Sequence, residues 1–300
     1  MRGLSQNKNF GKLMGNYSQI DIGEDGNPNI IQYQHSSVGP ISYLSFGLGH
    51  ELRIDGEEME EIISKIPLNP YCLTVVFFNS LVVSDLRGAV TNEALQLIQD
   101  LRTESLPRKN RMRAIRSAER KGVVVFEAVL SDLPPCIDLA LDFSKRKHLG
   151  NPWGEISKLI GTEFAKLLVA KRDGRCIGFL FLLMDNDLRK GYAKHGAWGP
   201  EGVSCNVPSL LIYEAIRHCR EAGLDYFDFF GFSYSNNRSR GIANFKMSFG
   251  GELRPYFRTK IILFMGRRMS ALMKAGVIAT SLDIWPISSI AQILHSRLSE

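Results

Sequence analysis

Apolar positions along this 300-residue chain follow two periods in turn, and the switching between them predicts an α/β layer structure. Ile30–His35 and Ile41–Phe46 are short β-branched and aromatic runs separated by Gly39-Pro40, which predicts two strands. Asp55–Ile66 has a capping aspartate, a glutamate-rich first turn and inward-facing Ile62, Ile63 and Ile66, the pattern of a helix. Leu73–Phe78 predicts a buried strand, and Asn92–Leu101 a further helix. The first 26 residues, rich in Gly, Asn and Ser, predict a loose lead-in.

The pattern restarts after residue 122. Val123–Ala128 predicts a strand, Leu133–Lys147 a helix, and Gly154–Glu163 another helix. Phe164–Arg172 and Arg175–Asp185 predict two antiparallel strands joined at Asp173-Gly174, a strong hairpin signal. Arg189–Trp198 adds a strand, Val207–Ala222 a helix ending at Gly223, and Tyr226–Phe230 a strand. A loop rich in Ser, Asn, Arg and Gly then leads to the strand Leu253–Phe264. The chain is thus divided into halves at 1–122 and 123–264, with a tail at 265–300.

Composition changes this picture little. Hydrophobic residues make up 44% and charged residues 23%, as in a folded soluble protein. Met1–Phe10 lacks the apolar core of a signal peptide, and no apolar run approaches the roughly 20 residues of a bilayer span, so a cytoplasmic location is expected. Five scattered cysteines without a CxxC pair, and six histidines without HExxH, give no disulfide framework and no metal spacing. Neither a metal nor a cofactor is expected.

Charge is more informative. Arg108–Lys121 (RKNRMRAIRSAERK) carries a local net of +6, which is the net charge of the whole chain. So concentrated a patch implies an anionic partner. Met112, Ile115 and Ala118 form an apolar stripe, so the segment is read as a helix, serving either as an electrostatic site for phosphates or as a solvated linker. It has no aromatic residue for base stacking, so any nucleic-acid contact would be to the backbone.

Candidate chemistry lies near the C-terminal end of the second half. In DYFDFFGFSYSNNRSRGIANFKMSFGG a strand ends in a long loop, and a lone Lys246 follows Phe245 among small and apolar residues. Such a lysine fits a phosphate or a developing oxyanion, and equally an ordinary lysine snorkelling off a packed aromatic. His195, Asp228 and Glu155 are the candidate general bases, although no triad spacing links them. Gly199–Ser204 makes a poor pyrophosphate loop because Glu201 lies within it.

FDFFG followed by GIANFKMSFGG resembles the C-terminal signature of the Fem family of peptidoglycan bridge-forming aminoacyl transferases and their acetyltransferase-like relatives. RKNRMRAIRSAERKGVVV and the hairpin LLVAKRDGRCIGFLFLLM are also similar to segments of that superfamily, so the likeness covers about half of the chain. The resemblance implies tandem acetyltransferase-like (GNAT-like) α/β domains, with mixed sheets and helices on both faces. It further implies amide formation from an activated acyl donor, either aminoacyl-tRNA or acyl-CoA. The acceptor would be an amine on a small-molecule, glycan or peptide precursor of the cell envelope or of a specialised metabolite.

On the same basis Phe245 and Lys246 match the family's acyl-donor pair, and Arg111, Arg113 and Arg116 fall in the segment read as contacting the carrier. HLGNPWGEISKLI is the apparent counterpart of the family's acceptor segment, which makes Asn151, Trp153 and Glu155, with Tyr192, candidate substrate contacts. Asn151 and Glu155 stand where wall-precursor transferases have arginine and tyrosine. An amide and a carboxylate do not grip a diphosphate as arginine does, so a nucleotide-linked wall precursor is disfavoured as acceptor. The tail, with Arg267, Arg268 and Lys274 among apolar residues, suits docking on the first half or a peripheral membrane contact, and the resemblance favours docking.

Overall fold

The computed structural model describes residues 17–21, 30–38, 41–46, 56–66, 73–80, 89–103, 105–147, 152–232, 237–264 and 267–268. These fall into two compact units, one formed by Leu95–Arg254 and the other by the residues up to Ala94 together with those from Pro255.

The second of these units contains β1 (Tyr17–Asp21), β2 (Ile30–Val38), β3 (Ile41–Phe46), helix α1 (Gly56–Lys65) and β4 (Leu73–Ser80). β1, β2 and β3 pair antiparallel in turn, whereas β3 and β4 pair in parallel across α1. Met59, Ile62, Ile63 and Ile66 are buried at the three- and four-residue spacing of one helix face. Thr74, Val76 and Phe78 alternate into the core from β4. Tyr17–Asp21 is therefore a paired strand where the composition predicted a loose lead-in. The remainder of the first 26 residues, and the tail apart from Arg267-Arg268, lie outside the described residues.

In the Leu95–Arg254 unit the elements are β5 (Val90–Asp100, from Leu95 onward), α2 (Lys109–Arg120), β6 (Val124–Glu127), α3 (Leu133–Lys147), α4 (Trp153–Leu159), β7 (Ala165–Arg172) and β8 (Arg175–Asp185). β9 (Lys190–Trp198), α5 (Pro200–Ser204), α6 (Val207–Glu221), β10 (Tyr226–Asp228), α7 (Asn237–Met247) and the start of β11 (Glu252–Phe264) complete it. The strand order is β11-β5-β10-β9-β8-β7-β6. Among the described strand pairs β10–β5, β10–β9, β6–β7, β7–β8 and β8–β9, that of β9 and β10 is parallel. The result is a seven-stranded mixed sheet.

Two predicted elements are corrected. The predicted helix Asn92–Leu101 is instead strand β5 as far as Asp100, and Ile98–Asp100 pair with β10. The loop expected between β10 and Lys246 contains α7, whose weakly amphipathic sequence gave no helical signal.

Side-chain parity along β7 and β8 assigns the two faces of the sheet. Leu168, Ala170, Leu180, Leu182 and Met184 join the core beneath α2 and α6. Alternate residues face the other way, where Trp153 of α4 meets Phe179 edge-on at 6.4 Å and α3 packs on β8 and β9. α6 lies so close to β9 that a Cβ on Gly191 would collide with the Cys219 sulfur.

Candidate functional site

β9 and β10 are paired only over Lys190–Tyr192 and Tyr226–Asp228. Beyond Tyr192, β9 remains paired with β8 up to Trp198, whereas β10 ends. The two parallel strands therefore part company at Tyr192 and Asp228, and their exposed ends supply the candidate site. Adjacent parallel strand ends are where an open α/β sheet offers backbone and side chains to a ligand.

The outer part of β9 is set by a bulge. Ala193 stands opposite Leu182, but His195 stands opposite Phe181, leaving Lys194 without a partner on β8. Ala193 joins the core under α6, whereas His195 stacks on Phe181 on the other face, with ring centroids 6.3 Å apart. In a regular strand, residues two apart share a face, so the extra residue is what redirects His195. Lys194 and His195 both reach Glu155 of α4. His195 Nε2 lies 3.0 Å from one Glu155 oxygen, and Lys194 Nζ 3.7 Å from the other.

Burial alone would push the Glu155 carboxyl up, but the His195 hydrogen bond and the Lys194 charge outweigh it and hold it below its usual value. An ionised Glu155 accepts Nε2–H from His195, and Nδ1 is then left as the basic nitrogen. The other Glu155 oxygen is buried without a hydrogen-bond partner among the described residues. The Tyr192 hydroxyl is likewise buried and unpartnered.

Asp228 closes the inner end of the opening. One of its oxygens accepts the Phe230 N–H at 2.8 Å, and the other lies 2.9 Å from Lys190 Nζ, within ion-pairing distance but not aligned as a hydrogen bond. Its two oxygens thus face the Phe230 N–H and the Lys190 ammonium. Phe230 takes a left-handed conformation (φ 46°) before Gly231 (φ 59°), which is costly for a bulky residue. The strain is held by Asp228 on the Phe230 N–H and by Lys246, whose ammonium donates to the Phe230 carbonyl and to the Gly231 carbonyl at 2.7 Å. Lys194 Nζ lies 4.5 Å from the centre of the Phe230 ring.

Lys246 is thus tied to the β10 turn. Burial pushes its ammonium down to about 8, opposed in part by the Asp228 carboxylate. Two carbonyls take two of its three N–H groups. Phe245 points elsewhere, meeting Phe249 edge-on at 5.3 Å beneath the Arg111 guanidinium at 4.3 Å. The sequence pair Phe245-Lys246 therefore splits between two environments.

Arg111 is half-buried. Its Nε donates to Ser248 and its Nη1 to Ser209, each at 2.7 Å, and burial lowers its pKa from the ordinary guanidinium value. No carboxylate is recorded within ion-pairing distance of it among the described residues. Arg113 and Arg116 are exposed on α2, also without a recorded ion pair. Trp153 opens α4, two residues before Glu155, while Asn151 lies outside the described residues. Among the described residues no group of three or more His, Cys, Asp or Glu side chains is arranged to hold a metal, and no helix is long and apolar enough to cross a membrane.

The alkaline limb of activity is predictable from Lys246. If its charge is needed, rate falls as pH rises through about 8. Stability moves the opposite way, because between about 8 and the ordinary 10.5 the unfolded chain holds this proton more tightly than the folded one. A pH–rate profile and melts over the same range check both signs. Lys246→Arg should move the alkaline limb out of the accessible range.

Comparison with known proteins fits this geometry. Residues 107–247 match the family described as acetyltransferase (GNAT) domain. The crystal structure of FemX superposes with a TM-score of 0.62 at 13% identity, over 84% of this chain and 91% of that one. L-PGS from Bacillus licheniformis gives 0.60 at 15% identity, over 91% and 90%. The C-terminal domain of a lysylphosphatidylglycerol synthetase from Agrobacterium fabrum gives 0.57 at 13% identity, over 82% and 84%. At such identities these structures share the fold. No curated protein sequence matches the chain. The α/β fold is that of GNAT acyltransferases, and the chain is an acyltransferase.

Proposed function

We propose that this acyltransferase of GNAT fold moves an aminoacyl group from a charged carrier, aminoacyl-tRNA, onto an amine of a cell-envelope or specialised-metabolite precursor. The observation that carries the reading is the His195–Glu155 pair, standing beside Lys194 where β9 leaves β10. An amine is protonated at neutral pH and must lose a proton to attack an ester. His195, held by Glu155 with Nδ1 free, takes that proton. The nitrogen then adds to the ester carbonyl, and the oxyanion that forms is met by the Lys246 ammonium, a fixed cation that is worth more in the transition state than in the ground state. Collapse expels the carrier oxygen, which takes the proton held by His195, and the nitrogen releases its second proton to solvent. The net change is one ester bond broken and one amide bond made.

The carrier is assigned from charge. Arg108, Lys109, Arg113, Arg116 and Arg120 are exposed along one helix without a recorded ion pair, and Arg111 turns inward beside the start of α6. That surface suits a phosphate backbone. Incubation with labelled aminoacyl-tRNA pools, and separately with acyl-CoAs, each with envelope-precursor extracts, tests the donor. Consumption of aminoacyl-tRNA is the expected result, and consumption of acyl-CoA alone overturns it. Arg113→Ala with Arg116→Ala should weaken tRNA binding and lower the slope of log K against log salt by about two. An unchanged slope removes α2 from the carrier site.

A further inference from the structure

Away from the parting of β9 and β10, the start of α3 lies against the start of β8, and this contact contains two thiols. Cys136 Sγ and Cys176 Sγ are 3.8 Å apart. Cys136 is fully buried, whereas Cys176 is only partly covered. The backbone places them deliberately. A register shift between β7 and β8 leaves Cys176 opposite Lys171, and Lys171 Nζ binds Asp132 at 2.5 Å just before α3 begins. α3 is therefore already fastened to the sheet beside the thiol pair. The other described cysteines, Cys205 and Cys219, are buried and have no sulfur of a second cysteine recorded nearby.

We propose that Cys136 and Cys176 are a reversible thiol–disulfide modification site, in which a low-molecular-weight disulfide is reduced and α3 becomes covalently tied to β8. The two cysteines have unequal roles. The Cys176 sulfur is the accessible one, and the hydrogen bond from the Cys136 thiol holds its pKa below the usual value. Its thiolate attacks one sulfur of the small disulfide, releasing one small thiol and leaving a mixed disulfide at Cys176. Cys136, shielded from the reagent, then loses its proton and attacks the Cys176 sulfur, releasing the second small thiol. Two protein thiols are oxidised by two electrons, and one small disulfide becomes two thiols. Closing the gap from 3.8 Å to the roughly 2.05 Å of a disulfide asks for side-chain rotation and a small shift of the α3 terminus. The proposal stands independently of which acyl donor the enzyme uses.

The test uses the full chain equilibrated with oxidised and reduced glutathione at graded ratios, quenched by alkylation and digested without reduction. The expected result is a peptide pair joined through Cys136 and Cys176 that separates on adding dithiothreitol. The melting temperature of the oxidised protein should be higher by roughly 5–10 °C, since the link closes a long loop. Cys136→Ser, which leaves the attacking thiol without its resolving partner, should accumulate glutathione at Cys176. Absence of the joined peptide at every ratio overturns the proposal. So does a Cys136→Ser protein, folded by its melting curve, whose Cys176 stays free.

Discussion

His195→Ala should lower kcat/KM by about 10²–10⁴-fold and lower the melting temperature modestly. His195 stacks on Phe181 at the open end of β9 and is not fully buried, so its removal takes little from the core but strands the Glu155 oxygen it binds. Its value lies in a lone pair at Nδ1, and Glu155 is what puts it there. Glu155→Gln should therefore be damaging without touching the base itself, since an amide no longer fixes the Nε2–H tautomer or balances the imidazolium. Added imidazole should restore part of the His195→Ala activity and none of the Glu155→Gln activity. The measurement is steady-state transfer with whichever donor the enzyme consumes. Wild-type turnover in His195→Ala would remove the histidine from the chemistry.

Lys246→Ala is expected to lose activity by roughly 10²–10³-fold and to melt lower than the parent. A lysine before a glycine-rich turn looks dispensable to the fold in the sequence. In the structure its ammonium satisfies the Phe230 and Gly231 carbonyls at a turn whose left-handed Phe230 needs holding. Removing it strands both acceptors, at a cost of about 1–3 kcal/mol. Lys246→Arg should keep the charge but recover only part of the activity, because a planar fork does not reproduce three donors on a compact ammonium. Kinetics and melts on the same preparations separate the two losses. A variant that melts low yet turns over normally would confine Lys246 to the turn and leave the oxyanion to another group.

The sequence carried those elements whose cause is local. Asp173-Gly174 takes φ values of 50° and 74°, the tight turn announced by that dipeptide. α3 spans Leu133–Lys147 as its apolar spacing indicates. What failed was decided at a distance. Glu93–Leu97 (EALQL) is made of good helix formers, but the sheet claims the segment, and Gln96 and Gln99 are both buried in consequence. α7 is the converse case, a helix whose first five residues are Asn, Arg, Ser, Arg and Gly. In the site, His195 and Glu155 are each conspicuous in the sequence, yet their partnership spans 40 positions and depends on one unpaired residue. The alternate duties of neighbouring Phe245 and Lys246 were equally hidden, because adjacency in a helix says nothing about shared surroundings.

The bulge at Lys194 makes β9 a strand whose length matters more than its composition. On its inner side Tyr192 and Ala193 alternate in the ordinary sense, and one residue later the alternation is reversed. Removing Lys194 would make Ala193 and His195 adjacent, still opposite Leu182 and Phe181 and still on opposite faces of the sheet. Substitutions in this stretch alter side chains one at a time, whereas drawing the strand straight with Lys194 retained would exchange the two faces for everything beyond it and carry the imidazole to the α6 side. When relatives of this chain are aligned, a gap closed one position too early here would therefore match core residues to site residues. The position of Lys194, rather than the identity of its neighbours, is the landmark from which the outer half of the strand should be counted.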